Sequence, residues 1–140
     1  MFWNKTITLY NKYEDEQTGI IRWYRHVINR CFVKTTNNKV TVGDVQLQTK
    51  ENIVRISEQS NYKSPFEWRN LPNDQKSKFI TLQNGDLIFF GEISEEIDEL
   101  MPGKRSNDIV KKYTSVGSMV INAININDFL PGAHYFVRGE

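Results

Sequence analysis

The side chains that could do nucleophilic or metal chemistry are few. His26 and His134 are the only histidines and Cys31 is the only cysteine. Asp86 and Glu92 flank an apolar run, Leu87-Ile88-Phe89-Phe90. A Cys-His system needs the base within hydrogen-bond reach of the nucleophile. His26 and Cys31 stand an odd number of residues apart in an extended segment. Their side chains therefore point to opposite faces unless a bulge intervenes. A structural zinc needs ligand pairs at close spacing, which one cysteine and two distant histidines do not supply. Asp86 and Glu92 share a parity, but at ~3.3 Å per residue they lie roughly 20 Å apart, too far for a two-carboxylate metal site. They read as a turn residue and a solvated strand-end acid. Pro131-Gly132 and Gly117-Ser118 are lone turn signals and not a phosphate loop. No catalytic, metal or cofactor-binding residue is assigned, and the chain reads as a non-enzyme without a cofactor.

The cation-aromatic stretch Arg22-Trp23-Tyr24-Arg25-His26 raises single-strand nucleic-acid stacking as a further chemistry. Stacking platforms need aromatic rings exposed on one strand face. Trp23 and Tyr24 alternate, and Trp23 shares its side with Val27, so a core with arginine stems packed along it is the plainer reading. A formal net charge of +1 argues against a generic nucleic-acid binder. With 39% hydrophobic and 25% charged residues the composition is globular. No apolar run approaches the ~20 residues of a membrane helix. The start, Met1-Phe2-Trp3-Asn4-Lys5, has no signal-peptide pattern. The expectation is a protein made in a cytoplasm that stays soluble, with Cys31 as a buried, inert thiol.

The elements that would position these residues are mostly strands. Asn84-Gly85 between Phe79–Gln83 and Leu87–Ile93 predicts a hairpin with a type I′ turn. The run after that turn is apolar on both pleat faces, which predicts a central strand covered on both sides. Leu87, Phe89, Ile80 and Leu82 are expected in the core. Thr6–Tyr10 alternates, with Ile7 and Leu9 on one face. Ile20–Val33 is long for one strand and calls for a bend near His26–Asn29. Polar Lys34–Lys39 reads as a loop tip. Gly43-Asp44 shifts the parity between Val40–Val42 and Val45–Gln48, as a bulge or tight turn does. Ile53–Ile56 is a short strand. Ser118–Ile126 is another, with Val120, Ile124 and Ile126 on one face. Pro131-Gly132 is a turn before a last strand, Ala133–Val137. The fold class is mainly β, a small barrel or sandwich built on hairpins with one or two short helices, in one domain over 1–140.

Two segments stand apart. From Ser57 to Lys78 no period holds, and so long a connection is functional or carries short helices; Pro72–Lys76 could open one. Its Tyr62, Phe66 and Trp68 are either an interface arm or a plug folded onto the barrel. After the apolar run comes an acidic segment with Glu92, Glu95, Glu96, Asp98 and Glu99. A short helix over about Asn107–Tyr113 follows, with Ser106 as its cap and Lys111-Lys112 late. Lys104, Arg105, Lys111 and Lys112 oppose Glu95 and Glu96. These charges either meet across subunits, as a heterologous ring contact would have them, or pair within one subunit.

Thr6–Asp15, Thr18–Tyr24, Gly85–Glu92 and Leu130–Gly139 together resemble a family of short uncharacterised proteins. Its members are encoded in the structural-gene clusters of tailed phages and prophages of Gram-positive and gut bacteria. The layout is also similar, more loosely, to phage head-completion or head–tail joining proteins. The long Ser57–Lys78 connection and the Asn107–Tyr113 helix depart from the simplest of these. The resemblance implies a stopper- or adaptor-type ring component of the virion, made in the host bacterial cytoplasm. Its partners would be other neck or tail proteins and further copies of itself, with possible contact to DNA in a channel and no membrane. The alternative is a phage-encoded nucleic-acid or host-factor binding module.

Overall fold

The computed structural model describes residues 4–127 and 134–140. Its elements are β1 (Lys5–Glu14), β2 (Ile21–Val42), β3 (Val45–Ser57), α1 (Pro65–Arg69), α2 (Asn73–Lys76), β4 (Leu87–Phe89), α3 (Ser106–Lys112), β5 (Ser118–Asn127) and β6 (His134–Gly139). The strands close into a barrel in the order β1-β2-β3-β6-β5-β4. All six pairings are antiparallel. Each half of the chain supplies a three-strand meander, and β1–β4 and β3–β6 join the two. Closure leaves the barrel wall without an open edge. No helix among the described residues is long and apolar enough to cross a membrane.

Alternation sorts the apolar residues into two clusters on either side of the wall. Inside lie Ile7 and Leu9 of β1, Ile28 and Cys31 of β2, Val54 and Ile56 of β3, and Ile88 of β4. Outside, Tyr10, Leu87 and Phe89 are covered by Ile93, Ile97 and Ile109. β4 is thus buried on both faces, which is why its three residues are all apolar. Leu87, Phe89, Ile80 and Leu82 are core residues, as expected.

The bend in β2 falls at Asn29-Arg30. Arg30 takes φ 60°, and the register against β1 shifts there. This bulge brings both His26 and Cys31 to the buried side. No Cys-His pair results: the nearest polar partners of Cys31 Sγ are the carbonyls of Ile28 and Asn29, at 3.7 and 3.8 Å.

Three expectations are corrected. Asn84-Gly85 does not make a hairpin. Gly85 has φ 97° while Asn84 keeps a negative φ, and the Asp86 N–H donates to the Gln83 carbonyl at 3.2 Å. That is a type II turn, whose twist does not fit a two-strand hairpin. The chain beyond it pairs with β1 and β5 instead. Lys34–Lys39 is not a loop tip: β2 runs on to Val42, and the tip is Gly43-Asp44, with φ 63° at Gly43. A glycine in that first central position matches a type II′ turn. Val120, Ile124 and Ile126 do not form one buried face: Ile124 is half-buried and Ile126 is 42% exposed. Val120 is 50% exposed while Met119 and Ile121 are buried, because the register shifts between Ile121 and Ala123. The Pro131-Gly132 turn lies outside the described residues.

Candidate functional site

The Ser57–Lys78 connection closes one end of the barrel. Ser64 caps α1, accepting the Glu67 N–H at 3.4 Å and donating to Glu67 Oε1 at 3.1 Å, and Pro65 occupies the first turn. The helix delivers Trp68 into the interior, fully buried. Its indole N–H donates to the carbonyls of Lys76 and Phe79, at 3.2 and 3.0 Å. Its ring meets those of Tyr13 and Tyr24 edge-on, at 6.2 and 5.5 Å. The Lys76 side chain is buried beside it. Its ammonium lies 4.4 Å from the Tyr13 ring centroid and donates to the Leu71 carbonyl. Burial lowers the Lys76 pKa. Tyr62 stacks on Tyr135 at 4.6 Å. Trp68 and Tyr62 therefore plug the chain's own barrel, whereas Phe66 is 78% exposed.

Beneath the plug sits a buried polar cluster. Asp86 Oδ2 accepts from Asn11 Nδ2 at 2.8 Å and from the Gln83 N–H at 2.9 Å, and Oδ1 accepts the Lys12 N–H at 2.8 Å. Burial pushes the Asp86 carboxyl up to about 7, although these donors and the Arg69 charge pull the other way. His26 is also buried, and its Nε2 has no hydrogen-bond partner among the described residues. Burial, helped by the charge of Arg25, holds its imidazole down at about 4. Asp86 is a turn residue, as expected, but nothing in the sequence marks its carboxylate as interior. A cleft of ≈ 700 Å³ opens beside the plug, lined by Lys12, Glu14, Asp15 and Arg69. Within it Arg69 Nε donates to Gln83 Oε1 at 2.7 Å. Among the described residues no three metal-ligating side chains stand together.

On the β1/β4 side, the segment from Gly91 to Arg105 and α3 form an outer layer. Tyr10 Oη donates to the Glu95 carbonyl at 2.5 Å, and Arg25 Nε donates to the Ile93 carbonyl at 2.6 Å. Glu99 Oε1 accepts Trp23 Nε1 at 2.9 Å and the Ser106 N–H at 3.0 Å. The helix cap is Arg105, one residue before the expected Ser106. Lys112 is paired with Glu95 within the same layer. Glu96, Lys104, Arg105 and Lys111 are exposed.

At the other end of the molecule β2 and β3 outrun the barrel. β6 pairs with β3 only from Asn52 onward, whereas β2–β3 pairing continues from Thr36↔Glu51 to Val42↔Val45. These seven pairs make a two-strand ribbon roughly 20 Å long. Val42 and Val45 at its end are 60% and 58% exposed. Sequence reading missed this arm because Asn37-Asn38 looks like a loop. The usable signal was the alternation on both sides of Gly43-Asp44.

No curated protein and no solved structure matches the chain. Residues 2–140, nearly the whole length, match a family described as a family of unknown function, DUF6751, and the chain belongs to that family.

Proposed function

We propose that this chain is a non-enzymatic structural protein of a tailed-phage virion, a stopper- or adaptor-type ring component of the head–tail connection. The observation that supports it is the β2–β3 ribbon. A lone two-strand ribbon is marginal in water. Both of its edges carry backbone groups that the barrel does not pair, and such edges recruit another chain. Exposed Val42 and Val45 at the end give that chain an apolar contact. The virion assignment rests on the sequence resemblance. Its partners are then neighbouring neck or tail proteins, engaged by the ribbon.

The test is genetic. In a phage or prophage that carries this gene, deletion leaves heads and tails unjoined under the electron microscope. Val42→Asp with Val45→Asp, which changes only exposed positions, reproduces that defect with a folded protein. Normal infectious particles from the deletion strain would overturn the proposal.

A further inference from the structure

We propose that copies of this chain dock head to tail, the acidic segment Glu92–Met101 of one copy seated on the Arg55–Phe136–Arg138 face of the next. The inference rests on the assembly reading above and names the contact between copies.

The receiving face is the outer wall of β3 and β6, where Arg138 is exposed and Ile53, Arg55 and Phe136 are half-buried. Val54 and Val137 point inward, so their strand neighbours point out. Cross-strand register lines up Phe32, Arg55, Phe136 and Asn125 in one row, and Lys34, Ile53, Arg138 and Ala123 in the next. The guanidinium carbons of Arg55 and Arg138 lie 5.2 and 5.1 Å from the Phe136 ring centroid. A guanidinium stacked on a ring keeps its in-plane donors for a carboxylate. Arg138 is the exposed member of the pair, and among the described residues its Nε reaches only Glu51, at 3.6 Å; Arg55 Nε is buried beneath the ring, so Arg138 and Lys34 are the groups an incoming carboxylate meets.

The docking segment has the opposite character. Glu92, Glu95, Glu96, Asp98 and Glu99 carry five carboxylates with no cation among them. Glu95 and Glu99 are held within the layer, by Lys112 and by Trp23 and Ser106. Glu92, Glu96 and Asp98 are exposed. Leu100 and Met101 follow at 69% and 48% exposure, apolar groups that the described residues leave open to solvent. An acidic segment with an apolar tip thus matches a cationic face with aromatic rings.

Barrel order decides the symmetry. In the ring β1-β2-β3-β6-β5-β4, the β1/β4 seam is diametrically opposite the β3/β6 seam. The acidic layer packs on Tyr10, Leu87 and Phe89 at the first seam, and the cationic face is the second. A contact between surfaces on opposite sides of one molecule is heterologous and propagates into a ring or filament. Single-stranded nucleic acid fits less well. The Phe136 ring is already engaged by two guanidiniums, Glu51 borders the face, and the net charge is only +1.

Sedimentation velocity tests the contact over a wide concentration range at low and high salt. Wild type associates at low salt, and salt weakens the association. A face variant, Lys34→Glu with Arg138→Glu, and a tip variant, Glu92→Lys with Glu96→Lys, each associate roughly tenfold or more weakly. Mixing the two restores association, because each variant's tip then meets a face of opposite charge. Unchanged thermal midpoints show that the variants fold. The contact is overturned by a wild type that stays monomeric at every concentration, by variants that associate like wild type, or by a mixture that stays monomeric. Anisotropy with labelled oligothymidylate covers the other occupant: binding by monomeric wild type that the face variant loses would assign the face to nucleic acid and overturn the contact. Should the charge swap fail while the Val42/Val45 variant still leaves heads and tails unjoined, the contact alone falls and the virion role stands.

Discussion

Asp86 and Lys12 lie 74 residues apart in the chain, yet the Asp86 carboxylate accepts the Lys12 backbone N–H at 2.8 Å. Through Asn11 and Gln83 the same carboxylate also holds the preceding strand residue and its own turn. It ties the N-terminal meander to the C-terminal one at the plugged end of the barrel.

Asp86 makes stability depend on pH. Its folded pKa, about 7, lies above the ordinary carboxylate value of 3.8. The folded state therefore binds the proton more tightly, and this contribution is full below pH ~4 and lost as pH rises to ~7, at about 1.4 kcal/mol per unit. Asp86→Asn removes that decline. Because an amide offers one acceptor oxygen and the site presents donors to both carboxylate oxygens, the variant is ~1–3 kcal/mol less stable than wild type below pH ~4, and its flat profile crosses that of wild type as pH rises. Urea melts at several pH values check both effects.

His26 acts with the opposite sign. Its folded pKa, about 4, lies below the ordinary imidazole value of 6.5, so its contribution is present above pH ~6.5 and lost as pH falls towards ~4. The two terms partly cancel between those values in wild type. His26→Leu removes the unpartnered Nε2 and exposes the Asp86 term, so stability falls more steeply with rising pH than in wild type. Equal slopes in the two proteins would contradict this assignment.

Trp68 and Phe66, two residues apart, separate plug from surface. Trp68→Ala empties the barrel end and costs ~3–5 kcal/mol. It also makes the Ser57–Lys78 connection sensitive to limited proteolysis. Phe66→Ala stays within ~0.5 kcal/mol of wild type. Thermal melts of the pair give the comparison directly.

Gly139 is where β6 closes against β5. A Cβ there would stand 2.2 Å from the Val120 carbonyl oxygen, so only a backbone shift could admit it. Gly139→Ala costs ~1–3 kcal/mol or more by overpacking. Gly19 has open space and φ 72°, so Gly19→Ala costs only ~1–2 kcal/mol, from left-handed backbone strain. Denaturation midpoints rank the two variants.

Local pattern made much of the barrel legible. Ile7 and Leu9 alternate with polar neighbours, and Leu87–Phe89 is apolar throughout because both faces are covered. The turn at Asn84-Gly85 was visible but its type was not, since types I′ and II differ in the sign of φ at Asn84. The signal for α1 was present in Ser64-Pro65 with Glu67 three residues after the serine. Burial of Asp86 was not legible: its donors come from Asn11 and Lys12, more than seventy residues away. The opposition of the acidic layer and the arginine face was equally hidden, because it depends on the order in which strands close the ring.

Cryo-electron microscopy of purified particles is the most direct test of the assembly role. The account predicts density for this barrel in a ring at the joint between head and tail, with the Val42–Val45 end of the ribbon buried against a neighbouring chain. Intact particles that lack the chain, or a ring in which that end stays in solvent, would contradict it.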